Sequence, residues 1–151
     1  MAVRFKLIRE KSDLTQERVA SILGISKTNY NYFENEERFI PLKHLNNYCE
    51  YFNVSMDYVF NLSSYNVTSK GKILLNPIVV GERIRKVRKM NNLSQKQLAE
   101  LLNTSQSTIS AYECGETLII TSFLYELCKR LNISMDYITG RSNIVSIFYE
   151  E

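Results

Sequence analysis

The chain has 151 residues, of which 44% are hydrophobic and 23% charged, and its formal net charge is +3. This share of apolar side chains can bury one domain or two small ones, and so small a surplus of positive charge does not by itself indicate a nucleic-acid partner. The three cysteines and the single histidine lack metal-ligand spacing, so we expect no disulfide framework, no metal and no cofactor. Without a signal-peptide pattern or an apolar run of membrane-spanning length, we expect a soluble cytoplasmic protein.

One unit occurs twice in the sequence. A shift of 79 positions aligns residues 4–62 with residues 83–141 without a gap, and the run Ser55-Met56-Asp57-Tyr58 returns as Ser134-Met135-Asp136-Tyr137. Single identities include Arg4/Arg83, Arg9/Arg88, Leu14/Leu93, Gln16/Gln95, Ala20/Ala99, Leu23/Leu102, Ser26/Ser105, Glu34/Glu113, Cys49/Cys128 and Asn53/Asn132. We therefore predict an all-α chain of two tandem five-helix domains. The predicted ranges are a first domain at 1–62, a linker at 63–76, a second domain at 77–141 and an apolar tail at 142–151.

In the first copy, Thr15 and Ser26 are predicted to cap helices two and three, and Gly24 to make the left-handed turn between them. Helix three is expected to bury Tyr30 and Phe33. Its outward face then carries Lys27, Thr28, Asn29, Asn31 and Tyr32. The following Asn35-Glu36-Glu37 loop is acidic, which predicts repulsion from a DNA phosphate and a weaker site in this copy.

The first helix of the second copy is predicted to start at Asn76-Pro77, with a cap followed by proline at the first helical position. Its inward side is expected to carry Ile78, Ile84 and Val87. Its outward side is expected to carry Arg83, Arg85, Lys86, Arg88 and Lys89. This basic face either lies along phosphates or is simply solvated, and the two interpretations are about equally favoured. The tail from Ile144 to Tyr149 is too apolar for a free terminus and is expected to pack on its own domain or on a second chain.

Helices two and three of the second copy are predicted from their caps and their apolar spacing. Ser94 caps a helix whose apolar face is Leu98, Ala99 and Leu102, and Asn103 ends that helix. Ser105 caps the next helix, which buries Ile109 and Tyr112 and leaves outward Gln106, Ser107, Thr108, Ser110 and Ala111. A face of short hydrogen-bonding side chains with little charge suits reading base-pair edges in a major groove.

This segment resembles the helix-turn-helix of the phage repressor, or Xre/Cro, family. The family pattern is matched by Ser94-Gln95, Ala99, Ser105, Ile109-Ser110 and Tyr112-Glu113. The resemblance implies a sequence-specific DNA-binding transcriptional regulator, most simply a repressor, that acts on double-stranded DNA as a homodimer.

On this interpretation, the base-reading and phosphate-binding residues lie on helices one to three of the second copy, with counterparts in the first. The predicted DNA-binding residues are Gln95, Lys96, Gln106, Ser107, Thr108, Ser110, Ala111 and Arg88, with Gln16, Lys27, Thr28, Asn29 and Asn31. Gln95 is expected to anchor its helix on a phosphate, and Gln106 and Ser107 to read base edges.

The competing interpretation is a protein-interaction module of the antitoxin or anti-repressor type, in which the same scaffold binds a protein. The acidic loop of the first copy and the apolar tail favour it, whereas the basic first helix of the second copy and the polar face of Gln106, Ser107 and Thr108 oppose it. Cys49 and Cys128 are expected to be core residues and Cys114 a loop residue. No catalytic arrangement is recognisable, so we do not expect an enzyme.

Overall fold

The computed structural model describes residues 2–68 and 72–147, which form two compact units of five helices each. Within these ranges the only strand character is an isolated bridge between Ile133 and Ser146, so the predicted all-α class is confirmed. Unit one, residues 2–68, contains α1 Phe5–Lys11, α2 Gln16–Leu23, α3 Lys27–Glu34, α4 Leu42–Phe52 and α5 Met56–Val59. Unit two, residues 72–147, contains α6 Pro77–Met90, α7 Gln95–Leu102, α8 Gln106–Glu113, α9 Thr121–Leu131 and α10 Met135–Ile138.

The helix ends are set by local caps that the sequence predicted. The side chains of Thr15, Ser26 and Ser105 each accept a hydrogen bond from a backbone N–H in the first turn of the helix that follows. Gly24 and Asn103 end α2 and α7 in the left-handed conformation, with φ of 69° and 56°. The short turns that result hold the second and third helix of each unit together as a pair.

The two units share a frame but fill it with different side chains. In unit one the core is aromatic: the rings of Phe5 and Tyr48 meet edge to face with centroids 4.9 Å apart, and the Tyr48 hydroxyl donates to the Phe5 carbonyl at 3.0 Å. Tyr30 is fully buried beside them. In unit two the positions equivalent to Phe5 and Tyr30 are Ile84 and Ile109, and its core is largely aliphatic.

An arginine in the first helical segment of each unit closes the unit onto its last helix. Arg4 Nη1 donates to the carbonyls of Tyr58 and Ser63 at 2.6 and 2.9 Å, and its guanidinium lies 4.3 Å from the centre of the Tyr58 ring. In unit two, Arg83 donates to Tyr137 and Ser142 at 2.5 and 2.6 Å. The prediction that Arg83 faces outward toward solvent is therefore wrong, because its charge is used inside unit two.

The segment after the last helix also folds onto each unit. In unit one this segment is the start of the predicted linker, and in unit two it is the predicted tail, which was expected to pack on its own domain or on a second chain. In unit one, the Asn66 side chain accepts from the Ser55 N–H at 2.8 Å and donates to the Asn53 carbonyl at 3.2 Å. In unit two the corresponding contact is made by the backbone: the Ser134 N–H donates to the Val145 carbonyl at 2.8 Å. Ser146 forms a bridge with Ile133 and Ile147 is buried, so this part of the tail packs, whereas Ile144 is exposed. Phe148 and Tyr149 lie outside the described residues.

Helix α6 has 14 residues where its counterpart α1 has seven, and its extra first turns pack against the end of α8. A methyl group added at Gly81 would lie 2.3 Å from the Tyr112 carbonyl oxygen and 2.7 Å from that of Glu113. Gly81 thus lets the two backbones touch, a requirement that the sequence did not reveal. The expectation that Ile78 faces inward is wrong, because its side chain is 59% exposed.

In the part of the chain that the structure describes, no helix combines the length and the apolar character needed to span a lipid bilayer.

We expect Gly81→Ala to destabilise unit two by ~1 to 3 kcal/mol, because the added methyl group must push α6 away from α8. Alanine is the better helix former, so a loss of stability here opposes intrinsic propensity. Native-state hydrogen exchange of the α6 and α8 amides measures the effect. Glu82→Ala, at the exposed neighbouring position, is the control. A Gly81→Ala variant as stable as this control would contradict the close packing.

Candidate nucleic-acid interface

The first residues of α8 form an exposed polar ridge. Gln106 and Ser107 are exposed, and behind them Thr108, Ser110 and Ala111 are partly exposed. The ridge is held from below because Ile109 and Tyr112, three residues apart on the opposite side, are both buried as predicted. A helix fixed in this way presents its outer side chains in a constant orientation.

Hydrogen bonds divide the ridge into occupied and available groups. The Ser105 hydroxyl lies 2.9 Å from the Ser107 hydroxyl and 2.8 Å from that of Thr108, and it also caps the Thr108 N–H. Gln106 has no hydrogen-bond partner for its side-chain amide among residues 2–68 and 72–147. The Gln106 amide, an adjacent donor and acceptor, is therefore the group of the ridge most ready to bind a ligand.

A buried ion pair fixes the far end of α8. Arg88 Nε donates to Glu113 Oε1 at 2.5 Å and Arg88 Nη2 donates to Glu113 Oε2 at 3.2 Å. The two side chains are only 10% and 3% exposed. Arg88 Nη1 also donates to the Leu93 carbonyl at 2.8 Å, and Gln95 Nε2 donates to Glu113 Oε2 at 2.8 Å. We call this group the α8 clamp; it joins α6, the start of α7 and the end of α8.

The expected position of Arg88 on a solvent-facing basic surface is therefore wrong. Its guanidinium is consumed by Glu113 and Leu93, so it orients α8 and is not free to bind a phosphate. The predicted outward residues Arg85, Lys86 and Lys89 of α6 are exposed, and Lys96 of α7 is exposed as well. These four side chains are therefore the exposed cations of α6 and α7.

Unit one repeats the clamp with nearly the same distances. Arg9 Nε donates to Glu34 Oε1 at 2.5 Å, Arg9 Nη2 to Glu34 Oε2 at 3.2 Å, and Gln16 Nε2 to Glu34 Oε2 at 2.8 Å. Burial alone would raise the pKa of the Glu34 carboxyl group, but the hydrogen bonds from Arg9 and Gln16 outweigh it and hold that pKa below its ordinary value. Glu34 is thus an ionised carboxylate inside unit one.

The two units differ in how many amide hydrogens of the second-helix glutamine, Gln16 or Gln95, are already hydrogen-bonded. Gln16 Nε2 also donates to Asn31 Oδ1 at 3.0 Å, so both hydrogens of its amide are used within unit one. Gln95 uses one hydrogen on Glu113, and the residue equivalent to Asn31 is the shorter Ser110. A second amide hydrogen of Gln95 remains available. Beside Gln16, a shallow cavity of about 410 Å³ is lined by Gln16, Lys27, Thr28 and Asn31, of which Lys27 and Thr28 are exposed, as is Asn29.

The acidic loop of unit one is also partly engaged. Glu36 Oε1 accepts a hydrogen bond from the Val3 N–H at 3.0 Å, and Glu36 itself has a positive φ of 60°. Its counterpart in unit two is Gly115, with φ of 73°. Glu37 is exposed, but it has an equally exposed counterpart in Glu116. The loop of unit one therefore adds the carboxylate of Glu36, and it also adds the guanidinium of Arg38, which stands where unit two has Thr117.

Two buried acids, Glu34 and Glu113, and the close approach at Gly81 were not identified as functional from the sequence. The signal for the acids was present, because Arg9/Arg88, Gln16/Gln95 and Glu34/Glu113 are all identities between the copies. Gly81 has no such signal, since Ala2 stands at the matching position of the first copy.

A family profile described as a helix-turn-helix domain matches the chain twice, over residues 3–64 and 81–142. The chain belongs to this helix-turn-helix family. Membership confirms the predicted resemblance, and the family is one of DNA-binding regulators rather than of enzymes.

Two curated relatives are similar to parts of the chain. The antitoxin PezA of Streptococcus pneumoniae is 26% identical over 68 residues, which are 45% of this chain and 43% of PezA. The control protein C.SmaI of Serratia marcescens is 35% identical over 66 residues, which are 44% of this chain and 79% of C.SmaI. The chain thus spans less than half the length of the antitoxin that it matches.

Solved structures with similarity to the chain include a controller protein and a repressor. The restriction-modification controller protein C.AhdI from Aeromonas hydrophila is 25% identical, with a TM-score of 0.40 over 43% of this chain and 98% of C.AhdI. The P22 c2 repressor, solved with a synthetic operator, is 37% identical, with a TM-score of 0.38 over 40% of this chain and 91% of the repressor.

We expect Arg88→Ala to destabilise unit two by ~3 to 5 kcal/mol, because it leaves the Glu113 carboxylate buried and unpaired. Arg85→Ala, which removes an exposed charge from the same helix, should change stability by less than ~0.5 kcal/mol. Urea unfolding compares the two variants. Equal losses would contradict the different placement of these arginines.

We also expect the stability of unit one to depend on pH through Glu34. Because the folded-state pKa of Glu34 is lowered, its ionised form stabilises unit one above its ordinary pKa of 4.5, and this contribution is lost as the pH falls from there through the folded value. We expect Glu34→Gln to be less stable than the parent at neutral pH, with the difference shrinking below about pH 4. Urea titrations across this pH range measure it. Glu50→Gln, an exposed change on α4, should follow the parent at every pH, and a constant difference for Glu34→Gln would argue against the assignment.

Proposed function

We propose that this protein is a sequence-specific transcriptional repressor that reads the major groove of double-stranded DNA with α8. The observation that carries the proposal is the free amide of Gln106 at the start of a helix held rigidly by the α8 clamp. A glutamine amide forms a matched pair of hydrogen bonds with adenine: its oxygen accepts from N6 and its nitrogen donates to N7. A fixed helix is needed because base edges are distinguished by the placement of such pairs.

The rest of the ridge adds shorter-range contacts. The hydroxyls of Ser107, Thr108 and Ser110 can hydrogen-bond to base edges or to phosphate, and the methyl group of Ala111 can contact a thymine methyl. Ser107 and Thr108 reach the groove from a hydroxyl cluster around Ser105. Their orientation is therefore set before any DNA is bound.

Phosphate anchoring in unit two falls to Gln95 and Lys96. Gln95 has a second amide hydrogen to donate, and its first fixes the side chain to Glu113. Lys96, next to it at the start of α7, is exposed. Such contacts position a protein on the duplex and carry the salt dependence of binding. Arg88 supports them indirectly through Glu113.

Unit one is proposed as a second reader, with Lys27, Thr28, Asn29 and Asn31 on α3. Its anchor is weaker, because the amide hydrogens of Gln16 are both bonded to Asn31 and Glu34. Lys27 compensates in part by bringing a positive charge to the exposed start of α3.

A homodimer and a cytoplasmic location complete the proposal. Symmetric dimers are the commonest assembly of DNA-binding modules of this size, because operators with two half-sites match a two-fold axis. Sedimentation of the protein with and without bound duplex tests the dimer.

The similarity to an antitoxin favours one alternative, a domain that binds a partner protein through the same scaffold. A gel shift with random-sequence duplex at low salt separates the two. A DNA-binding protein gives a salt-sensitive shift there, and a module specific for a protein partner gives none.

We expect Gln106→Ala to weaken binding to the selected operator by ~1 to 3 kcal/mol, with little change in the dependence of affinity on salt, because it removes a base contact and no charge. Titration of a fluorescent operator at several salt concentrations measures both quantities. An equal loss on operator and random duplex would contradict base reading by Gln106.

Lys96→Gln is the matched contrast, because it removes one charge beside the ridge. It should weaken binding to all sequences alike and reduce the slope of log affinity against log salt by ~0.9. An unchanged slope would remove Lys96 from the phosphate contacts.

A further inference from the structure

The two recognition helices carry unlike side chains on matched backbones. We propose that one chain recognises a DNA element made of two unlike half-sites, in which a G·C pair is preferred opposite Lys27 and an A·T pair opposite Gln106. This inference rests on the proposed function, since it concerns which sequences the two helices read.

The frames that present Lys27 and Gln106 are equivalent. Each residue is the first of its helix and directly follows a serine cap, and the caps have φ and ψ of −72° and 151° for Ser26 and −89° and 153° for Ser105. Each serine side chain accepts from the N–H three residues on, at 3.1 and 3.2 Å. The far end of each helix is held by an arginine–glutamate pair with the same 2.5 and 3.2 Å distances. Equivalent positions therefore meet equivalent places in the groove of their own half-site.

The chemistry at the first position differs between the units. The Lys27 ammonium group has only donors, and guanine presents two acceptors, O6 and N7, on its major-groove edge. The Gln106 amide has a donor beside an acceptor, which matches the N7 acceptor and N6 donor of adenine. Both side chains are exposed, so neither preference is reduced by contacts within its unit.

A second position adds to the difference. Ala111 offers a methyl group in unit two, and its counterpart in unit one is Tyr32, whose ring lies 4.3 Å from the Arg38 guanidinium. A thymine-methyl contact by Ala111 therefore has no equivalent in unit one. The helix face of unit one is bulkier and more cationic at these two positions.

The charges around α3 of unit one are compatible with an approach to the DNA phosphates. The loop after α3 carries one more carboxylate than its counterpart, that of Glu36, and this carboxylate accepts the Val3 N–H. The same loop also carries one more cation, Arg38, where unit two has Thr117. Lys27, in place of Gln106, adds a further positive charge at the other end of the helix. Two units that both read, with unlike faces, require unlike half-sites.

Selection of duplexes from a random pool by the full chain tests the proposal. We expect an enriched element containing two different sequence blocks. In Lys27→Gln, one block should change from G·C to A·T at a single position, and the ratio of the affinities for the two base pairs should shift by roughly 5- to 150-fold. The other block should be unaffected. Gln106→Lys should produce the reverse change in the other block. Lys6→Gln, which removes an exposed lysine of α1, is the charge-matched control and should leave both blocks unchanged.

The outcomes separate this inference from the function on which it rests. Enrichment of two identical blocks, or of one block alone or with its inverted copy, would overturn the inference while leaving a DNA-binding repressor intact. An unchanged selected sequence for Lys27→Gln, in a variant with the circular dichroism and melting temperature of the parent, would overturn it too. Enrichment of no sequence at all would overturn both.

Discussion

A guanidinium and a carboxylate, removed together from water, fix the third helix in each unit. Arg9 with Glu34, and Arg88 with Glu113, join the first helix to the end of the third, and a glutamine from the second helix completes each cluster. An ion pair buried this way contributes little net stability compared with apolar packing, but it is costly to break or displace. It therefore determines the position of the helix more than it strengthens the fold, and position is what base reading requires.

Because the frame is held by these polar clusters and by serine caps, the remaining residues are free to differ. The core of unit one is built on Phe5, Tyr30 and Tyr48, where unit two has Ile84, Ile109 and Leu127, yet the clamp distances agree. Cores accept such exchanges when volume and pattern are kept. The exposed faces differ as much, from Lys27 to Gln106, and this difference falls on the surface that would meet DNA.

Local features of this chain could be predicted from sequence, and features that depend on distant contacts could not. The serine caps, the left-handed Gly24 and Asn103, and the buried Ile109 depend on a few neighbouring residues, and all were predicted. Arg88 was misplaced because a charged residue on a helix is expected to face water, whereas its direction is set by a partner 25 residues away. Gly81 is required by a backbone that approaches from α8, and the exposure of Ile78 follows from the same packing. The predicted DNA contacts themselves stay predictions.

The segment after the last helix is closed in two different ways, and the two ways differ in the backbone groups that they leave for further pairing. In unit two, the backbone carbonyl of Val145 accepts from the Ser134 N–H. In unit one, the side-chain amide of Asn66 instead bonds to the Ser55 N–H and the Asn53 carbonyl. A side-chain amide has one carbonyl and one NH2 group, as a single peptide group has a carbonyl and an N–H. It can therefore bond to one N–H and one carbonyl of the backbone without adding a further strand residue beside them. An open rung at such an edge invites strands from other molecules to stack on it. The Asn66 amide thus closes this pair of backbone groups in unit one and leaves neither of them open.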